Sequence, residues 1–276
     1  MISGTTRLAA VIGTPIRHSL SPTIFNAAFA ARELDWAYVA FDVREGEAGS
    51  ALDAMRSLDI GGLSVTMPHK AAIAELVDRC SPEAAALRAV NCVVPTGDGL
   101  VGENTDGAGF LDALHAEVDF DVNGKRAVVL GAGGAARAIV LALARGGASD
   151  VAVVNRTVDR AEAAAALAGS VGRVSTVDAI DAADLVVNAT SIGMGDGQTP
   201  FDPDRLEPRQ VVVDIVYHPS PTPLVAAARG RGVVALDGLG MLVHQAGHAF
   251  RHWTGLDAPI DAMAEAALSA LRSESH

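Results

Sequence analysis

Aromatic residues are scarce in this chain, at 4% of the total. Cysteine is rarer still: only Cys80 and Cys92, with no CxxC spacing. That is too few for a disulfide framework or a zinc ribbon, and both thiols are expected to stay reduced. Positive charge is also short, with 21 Lys and Arg against 33 Asp and Glu, a formal net charge of −12. Nucleic acid is therefore not expected as a partner, because phosphate backbones are held by basic surface. No apolar run is long enough to cross a bilayer, so no membrane role is expected. The opening "MISGTTRLAAVIG" has no basic region ahead of a long apolar stretch. No secretory leader is expected, and the expected location is the cytoplasm.

What the chain does have is apolar bulk. Half of its 276 residues are hydrophobic and only 20% are charged. That composition belongs to a globular protein of one large or two small domains. Short apolar strands alternate with helical stretches. "LAAVIG" (8–13), "WAYVAFDV" (36–43), "GGLSVTM" (61–67) and "AVNCVV" (89–94) read as strands, with helices predicted over 22–32, through "ALDAMRSL" and from "PHKAAIAELV". The pattern restarts after Asp106 with "RAVVL", "DVAVVNRT", "ADLVVNATS", "VVVDIVY" and "VVAL", and closes on helices over 240–250 and 260–271. Alternation of this kind predicts α/β units with mainly parallel sheets.

"VVLGAGGAARA" (128–138) carries the most specific local signal. An apolar strand runs into Gly131, Ala132, Gly133, Gly134 and Ala135, and a helix follows. The first glycine permits a tight turn, and the second lets backbone approach a pyrophosphate. Ala136 is small enough to replace the usual third glycine, and the helix start offers free N–H groups to phosphate. The end of the next strand selects the dinucleotide. An acid there would take a ribose 2′-hydroxyl. This chain has Asn155, Arg156, Thr157 and Arg160 instead. Arg156 suits a 2′-phosphate, with Arg160 one helical turn on, so NADP is predicted. Asp159 is the one dissenting charge.

"GTPIRHSLSPTIFN" (13–26) places Ser19 and Ser21 at an apparent helix start, with Pro22 next. Ser21 has the form of an N-cap followed by proline at the first helical position. Alternatively, an anion sits there. Both readings stay open on these residues alone.

"PIRHSLSP", "SVTMPHK", "AVNC", "GENTDG", "GAGGAARA", "NRT", "NATSIGM", "DIVY" and "DGLGMLVHQA" occur in one order along the chain. Together they resemble the shikimate dehydrogenase family. The resemblance implies an N-terminal α/β substrate domain with a mainly parallel sheet, a Rossmann-like NADP domain and an active site in the cleft between them. It places the substrate domain at 1–106, completed by C-terminal helices over 242–276, and the NADP domain at 107–241. It implies NADPH-dependent reduction of 3-dehydroshikimate to shikimate, with Lys70 and Asp106 as the catalytic pair. A lysine ammonium can stabilise a developing alkoxide and donate the proton, and a neighbouring carboxylate can orient it. The same resemblance assigns Ser19 and Ser21 to the substrate carboxylate. Thr66, Asn91, Asn104 and Gln245 go to the ring hydroxyls, with Tyr217 as a further contact. Thr190, Ser191, Val213, Gly238 and Met241 fall on the cofactor side.

The chain departs from the family at Ser64, where Asn is more common, and at Phe25, where His is common. A quinate/shikimate dehydrogenase is the near alternative; a non-catalytic NADP-sensing regulator and a folate-type dehydrogenase are more distant ones. His244, His248 and His252 share a helix face by spacing, but no Glu or Cys accompanies them in a zinc motif, and no metal is expected. A small-molecule substrate is the expected partner, and a homodimer is compatible with this reading.

Overall fold

Short strands alternating with helices build two six-stranded sheets in the computed structural model, which describes residues 2–274. The fold divides into two compact units, Met1–Thr105 with Val243–His276, and Asp106–Leu242.

In the first unit the elements are β1 (Arg7–Gly13), α1 (Ser21–Ala31), β2 (Trp36–Asp42), α2 (Ala48–Ser57), β3 (Gly62–Val65), α3 (Lys70–Leu76), β4 (Arg79–Cys80), α4 (Pro82–Leu87), β5 (Cys92–Thr96) and β6 (Gly99–Glu103). The sheet order is β2-β1-β3-β5-β6-β4. Three of the five pairings are parallel, and β3–β5 and β5–β6 are antiparallel. The β5–β6 pairing is a hairpin that strand periodicity alone does not reveal. Its turn, Thr96–Gly99, contains Asp-Gly, closes through Thr96 Oγ1 donating to Gly99 O at 2.8 Å, and ends on Gly99 at φ +118°. Only glycine adopts that conformation cheaply.

The second unit comprises α5 (Asp106–Val118), β7 (Arg126–Leu130), α6 (Gly134–Arg145), β8 (Asp150–Val154), α7 (Val158–Ala165), β9 (Gly172–Val174), β10 (Leu185–Asn188), β11 (Val211–Asp214), α8 (Pro223–Gly230) and β12 (Val234–Leu236). Its sheet is wholly parallel in the order β9-β8-β7-β10-β11-β12. Numbered within the unit, that is 3-2-1-4-5-6, the doubly wound dinucleotide-binding order. Its valine-rich strands are buried on both faces, as helix-covered parallel strands must be. The switch point of the order lies between β7 and β10, and α6 starts beside it.

Two helices close the chain, α9 (Leu239–Thr254) and α10 (Ile260–Glu274). In the first unit α10 packs on α1, and the few aromatics are concentrated here. Phe25, Phe29, Trp36, Tyr38, Phe250 and Trp253 form one cluster with ring centroids 4.4 to 6.2 Å apart. Trp253 Nε1 donates to Val93 O at 3.0 Å, and its ring fills the space a side chain at Gly62 would need. Aromatic scarcity in the composition therefore conceals a locally aromatic core.

Candidate functional site

Gly131 directly follows β7 at φ +110°, and a Cβ there would lie 2.6 Å from Ala189 O. No other residue fits this turn without strain. The N-cap of α6 is Gly133, with no side-chain cap, and a Cβ on Gly133 or Gly134 would meet nothing within 4 Å. The helix start is thus bare of side chains, with its first-turn N–H groups available to an anion. Ala136 is fully buried, as close helix–strand packing requires, while Ala132 and Ala135 pack partly into the same core. After β8, Asn155 Nδ2 donates to Thr157 O at 2.9 Å and shapes the turn into α7. Arg156, Asp159 and Arg160 are all exposed there. A dinucleotide with a 2′-phosphate fits this donor set: a glycine cradle with room, and cations where an acid would otherwise stand.

The ends of β10 and β11 are tied by a buried lattice. Asn188 Oδ1 accepts from Thr190 N at 3.1 Å and from Thr190 Oγ1 at 2.7 Å. Asn188 Nδ2 donates to Ile192 O at 3.1 Å and to Asp214 Oδ1 at 2.8 Å. Asp214 also accepts from Val216 N at 3.2 Å and from Thr222 Oγ1 at 2.7 Å. The carboxylate is wholly buried, and desolvation raises its pKa despite these donors. The lattice fixes the loop carrying Thr190 and the exposed Ser191, and the segment leading to the half-buried Tyr217. Asn188, Asp214 and Thr222 are not among the residues the sequence motifs assign a role. The first two lie inside "NATS" and "DIVY", which is the signal that points to them.

Val213 and Met241 line one small cavity with Phe110, Leu236, Asp237 and Glu117. Gly238 is packed so closely on Ile215 O that a Cβ would overlap it. Asp237 Oδ1 accepts from Leu239 N at 3.0 Å and so caps α9. Glu117 rests against Gly240, and partial burial, then the Asp237 charge, push its carboxyl up. Of the five cofactor-side residues predicted after β10, Val213, Gly238 and Met241 thus fall in one small region of this unit.

In the first unit, Gly13 ends β1 in contact with Thr66, whose N–H donates to Ile12 O at 2.9 Å. Ser19 and Ser21 are half-buried nearby in the chain. The N-cap expectation for Ser21 is corrected. Leu20 occupies the cap in a helical conformation, α1 begins at Ser21, and no side-chain cap bond forms. Because the helix starts one residue early, the Ser21 hydroxyl is not used as a cap; its N–H points to Ser19 Oγ at 3.3 Å. Lys70 is the first residue of α3 and half-buried; its carbonyl accepts from Val90 N at 2.9 Å. The preceding His69 is buried, with Nε2 2.8 Å from Val43 O.

Asn91 and Gln245 come together through Thr105. Thr105 N donates to Asn91 Oδ1 at 2.9 Å, Asn91 Nδ2 donates to Thr105 Oγ1 at 3.0 Å, and Thr105 Oγ1 lies 3.5 Å from Gln245 Oε1. Thr105 is another positioning residue that motif reading passed over. Asn104 Nδ2 donates to Ala89 O at 3.0 Å. Asp106 opens α5 in the second unit and is buried. The three spaced histidines lie on α9, and among the described residues no three His, Cys, Asp or Glu are grouped to hold a metal.

Three family models match the chain: a shikimate dehydrogenase substrate binding domain over residues 11–93, a shikimate/quinate 5-dehydrogenase over 114–197 and a shikimate 5′-dehydrogenase C-terminal domain over 238–268. A shikimate dehydrogenase (NADP(+)) of Geobacter metallireducens is 45% identical, covering 98% of this chain and 99% of that protein. A crystal structure of a shikimate dehydrogenase with NADP+ superposes with a TM-score of 0.93 at 36% identity, covering 98% of each chain. The shikimate 5-dehydrogenase of Thermus thermophilus, solved with NADP(H) and shikimate, gives 0.89 at 37% identity, covering 96% of this chain and 100% of that one.

Proposed function

The chain belongs to the shikimate dehydrogenase family, and from that premise we propose that it catalyses the reversible NADPH-dependent reduction of 3-dehydroshikimate to shikimate. It is an NADP-dependent oxidoreductase acting on a CH–OH group. The observation that carries the substrate assignment is the near-full-length similarity to relatives named for this activity, with every motif residue it needs present in this sequence.

Bound NADPH supplies the hydride. The remaining work falls to the chain. Lys70 stabilises the charge that develops on the carbonyl oxygen and gives it a proton; in the oxidative direction the neutral amine takes that proton back. Asp106 keeps the lysine oriented and charged. Ser19 and Ser21 donate to the substrate carboxylate, and the Ser19 oxygen that accepts from Ser21 N keeps its proton for that bond. Thr66, Asn91, Asn104 and Gln245 hold ring hydroxyls, with Tyr217 as a further contact. Thr105 presets the Asn91 and Gln245 carboxamides. On the cofactor side, Gly131, Ala132, Gly133, Gly134 and Ala135 form the pyrophosphate cradle. Asn155, Arg156, Thr157 and Arg160 receive the 2′-phosphate end. Thr190, Ser191, Val213, Gly238 and Met241 line the rest. A cytoplasmic site of action goes with this proposal, and among the described residues no helix is long and apolar enough to cross a membrane.

The test is absorbance at the nicotinamide band with shikimate or quinate, against NADP or NAD. Turnover of shikimate with NADP well above the other three pairs is expected. Quinate turnover equal to that of shikimate, or no turnover with any pair, would overturn the assignment.

A further inference from the structure

Arg137 is the fourth residue of α6, and its N–H donates to Gly133 O at 3.0 Å, one turn back at the bare helix start. Two faces of this helix are occupied. A Cβ on Gly107 of α5 would lie 2.9 Å from both Ala138 O and Ala142 Cβ, so Ala138 and Ala142 face α5. Ala136, Ile139, Val140 and Leu143 are buried in the core beneath the helix. At about 100° per residue, Arg137 belongs to neither set. The residue is half-buried, and its Nε is closed off from solvent with no hydrogen-bond partner. Among the described residues every other buried side-chain nitrogen or oxygen has one. A guanidinium carries five N–H donors and accepts nothing, so a dry, unpaired donor on it is costly.

We propose that Arg137 is a further ligand of the cofactor, its guanidinium donating to a phosphate of NADP. This rests on the reading of 131–135 as the phosphate cradle. Side chains on a helix lean toward its N-terminus, so a long side chain at 137 can reach back over the turn that begins at Gly133. That turn is clear, because Gly133 and Gly134 are exposed and a Cβ on either would meet nothing within 4 Å. The planar fork of an arginine matches phosphate oxygens two at a time. The helix start offers backbone N–H groups to the same anion, and Arg137 adds the positive charge that those groups lack. NADP carries phosphate in two places, the diphosphate expected at the start of α6 and the 2′-phosphate expected after β8. The chemistry of the bond is the same for both, and NAD, which lacks the second, tells them apart.

Arg137→Met keeps an unbranched apolar stem and removes the donors. Affinity for NADP and for NAD is read by calorimetry on the full chain, with melting temperature measured alongside. The NADP dissociation constant is expected to rise about 10- to 100-fold, as for the loss of a charge-assisted bond. An equal rise for NAD assigns the diphosphate; a rise for NADP alone assigns the 2′-phosphate. The melting temperature without cofactor should not fall, because Nε gives up no hydrogen bond there. The stabilisation that added NADP confers should shrink with the affinity. Arg137→Lys keeps the charge without the fork, should fall between the two proteins, and serves if Arg137→Met folds poorly. Gly134→Asp checks the cradle itself: the new side chain has room, an acid suits a helix start, and it must repel phosphate. If Gly134→Asp leaves NADP affinity unchanged, the cradle reading falls and this proposal with it. If Gly134→Asp weakens binding while Arg137→Met binds NADP and NAD as tightly as the unmodified protein, the role of Arg137 alone is overturned.

Discussion

Asp214→Ala should lower the stability of the second unit and loosen the loop carrying Thr190 and Ser191 together. Truncation removes the acceptor of three donors: Asn188 Nδ2, Val216 N and Thr222 Oγ1. Asn188 Nδ2 still reaches Ile192 O, and the Thr222 hydroxyl can rotate, but the buried Val216 N–H loses its acceptor. An orphaned buried donor costs about 1–3 kcal/mol, and each weakened bond about 0.5–1.5 kcal/mol. Removing a desolvated carboxylate offsets part of this, leaving a loss of about 2–4 kcal/mol. For a unit of this size that is a fall of roughly 5–15 °C in melting temperature.

Asp214→Asn separates charge from shape, because the amide can accept from Asn188 and Val216 and donate to Thr222 Oγ1. Burial raises the folded pKa above the ordinary 3.8, so the folded state holds this proton more tightly than the unfolded chain. The resulting stabilisation is fully present below the unfolded pKa and is lost as pH rises through the folded one. The amide cannot ionise. Relative to the unmodified protein, Asp214→Asn should therefore gain stability as pH rises from 4 to 7. Denaturation of the three proteins across that range, with NADP affinity measured in parallel, is the assay. An Asp214→Ala protein with unchanged melting temperature and NADP affinity would refute the lattice argument. A stability difference between Asp214→Asn and the unmodified protein that does not move with pH would refute the charge argument.

Arg156→Asp should weaken NADP far more than NAD, by roughly tenfold or more, since a charge-assisted bond to phosphate contributes about 1.5–3 kcal/mol; equal losses in titrations with both cofactors would count against the arginine. Lys70→Ala should cut kcat by about 10²–10⁴-fold with little change in KM, as for a group that acts mainly in the transition state. Asp106→Asn should lower kcat and raise KM, and the double variant should be little worse than the poorer single one in steady-state kinetics; multiplying losses would show independent roles. Gly131→Ala should weaken binding of both dinucleotides in titration, because its φ of +110° and the carbonyl 2.6 Å from the added Cβ force the turn to move; unchanged affinity would show that the turn yields freely.

The parts of this protein legible in its sequence are those whose cause lies within a few residues. The glycine turn of 131–134 combines backbone freedom with an apolar strand before it and an apolar helix after it, and in the structure Gly131 makes the tight turn at positive φ while Gly133 is the N-cap of α6. Arg156 follows within two residues of β8 and Arg160 lies in the first turn of α7, so their place near the strand's end needs no tertiary information. The 96–99 hairpin was less visible, because its Asp-Gly signal joins a strand read as ending at Val94 to one that was not read as a strand at all. Ser21 looked like a cap from its neighbours and is not one, because the conformation of Leu20 decides where α1 begins.

By itself the sequence determined the strand–helix alternation, the dinucleotide turn and the residues that mark the family. Each is a matter of short-range periodicity, glycine conformation or residue chemistry, and none depends on how distant segments meet. Only the tertiary structure decided that Asn26 holds the Tyr38 backbone and Ser64 its hydroxyl, that Thr105 joins Asn91 to Gln245, and that Asp214 ties Asn188 to Thr222. A buried hydroxyl or carboxylate must find hydrogen-bond partners wherever the folded chain offers them. Those partners are chosen by strand order and helix packing, and separation along the chain does not encode them.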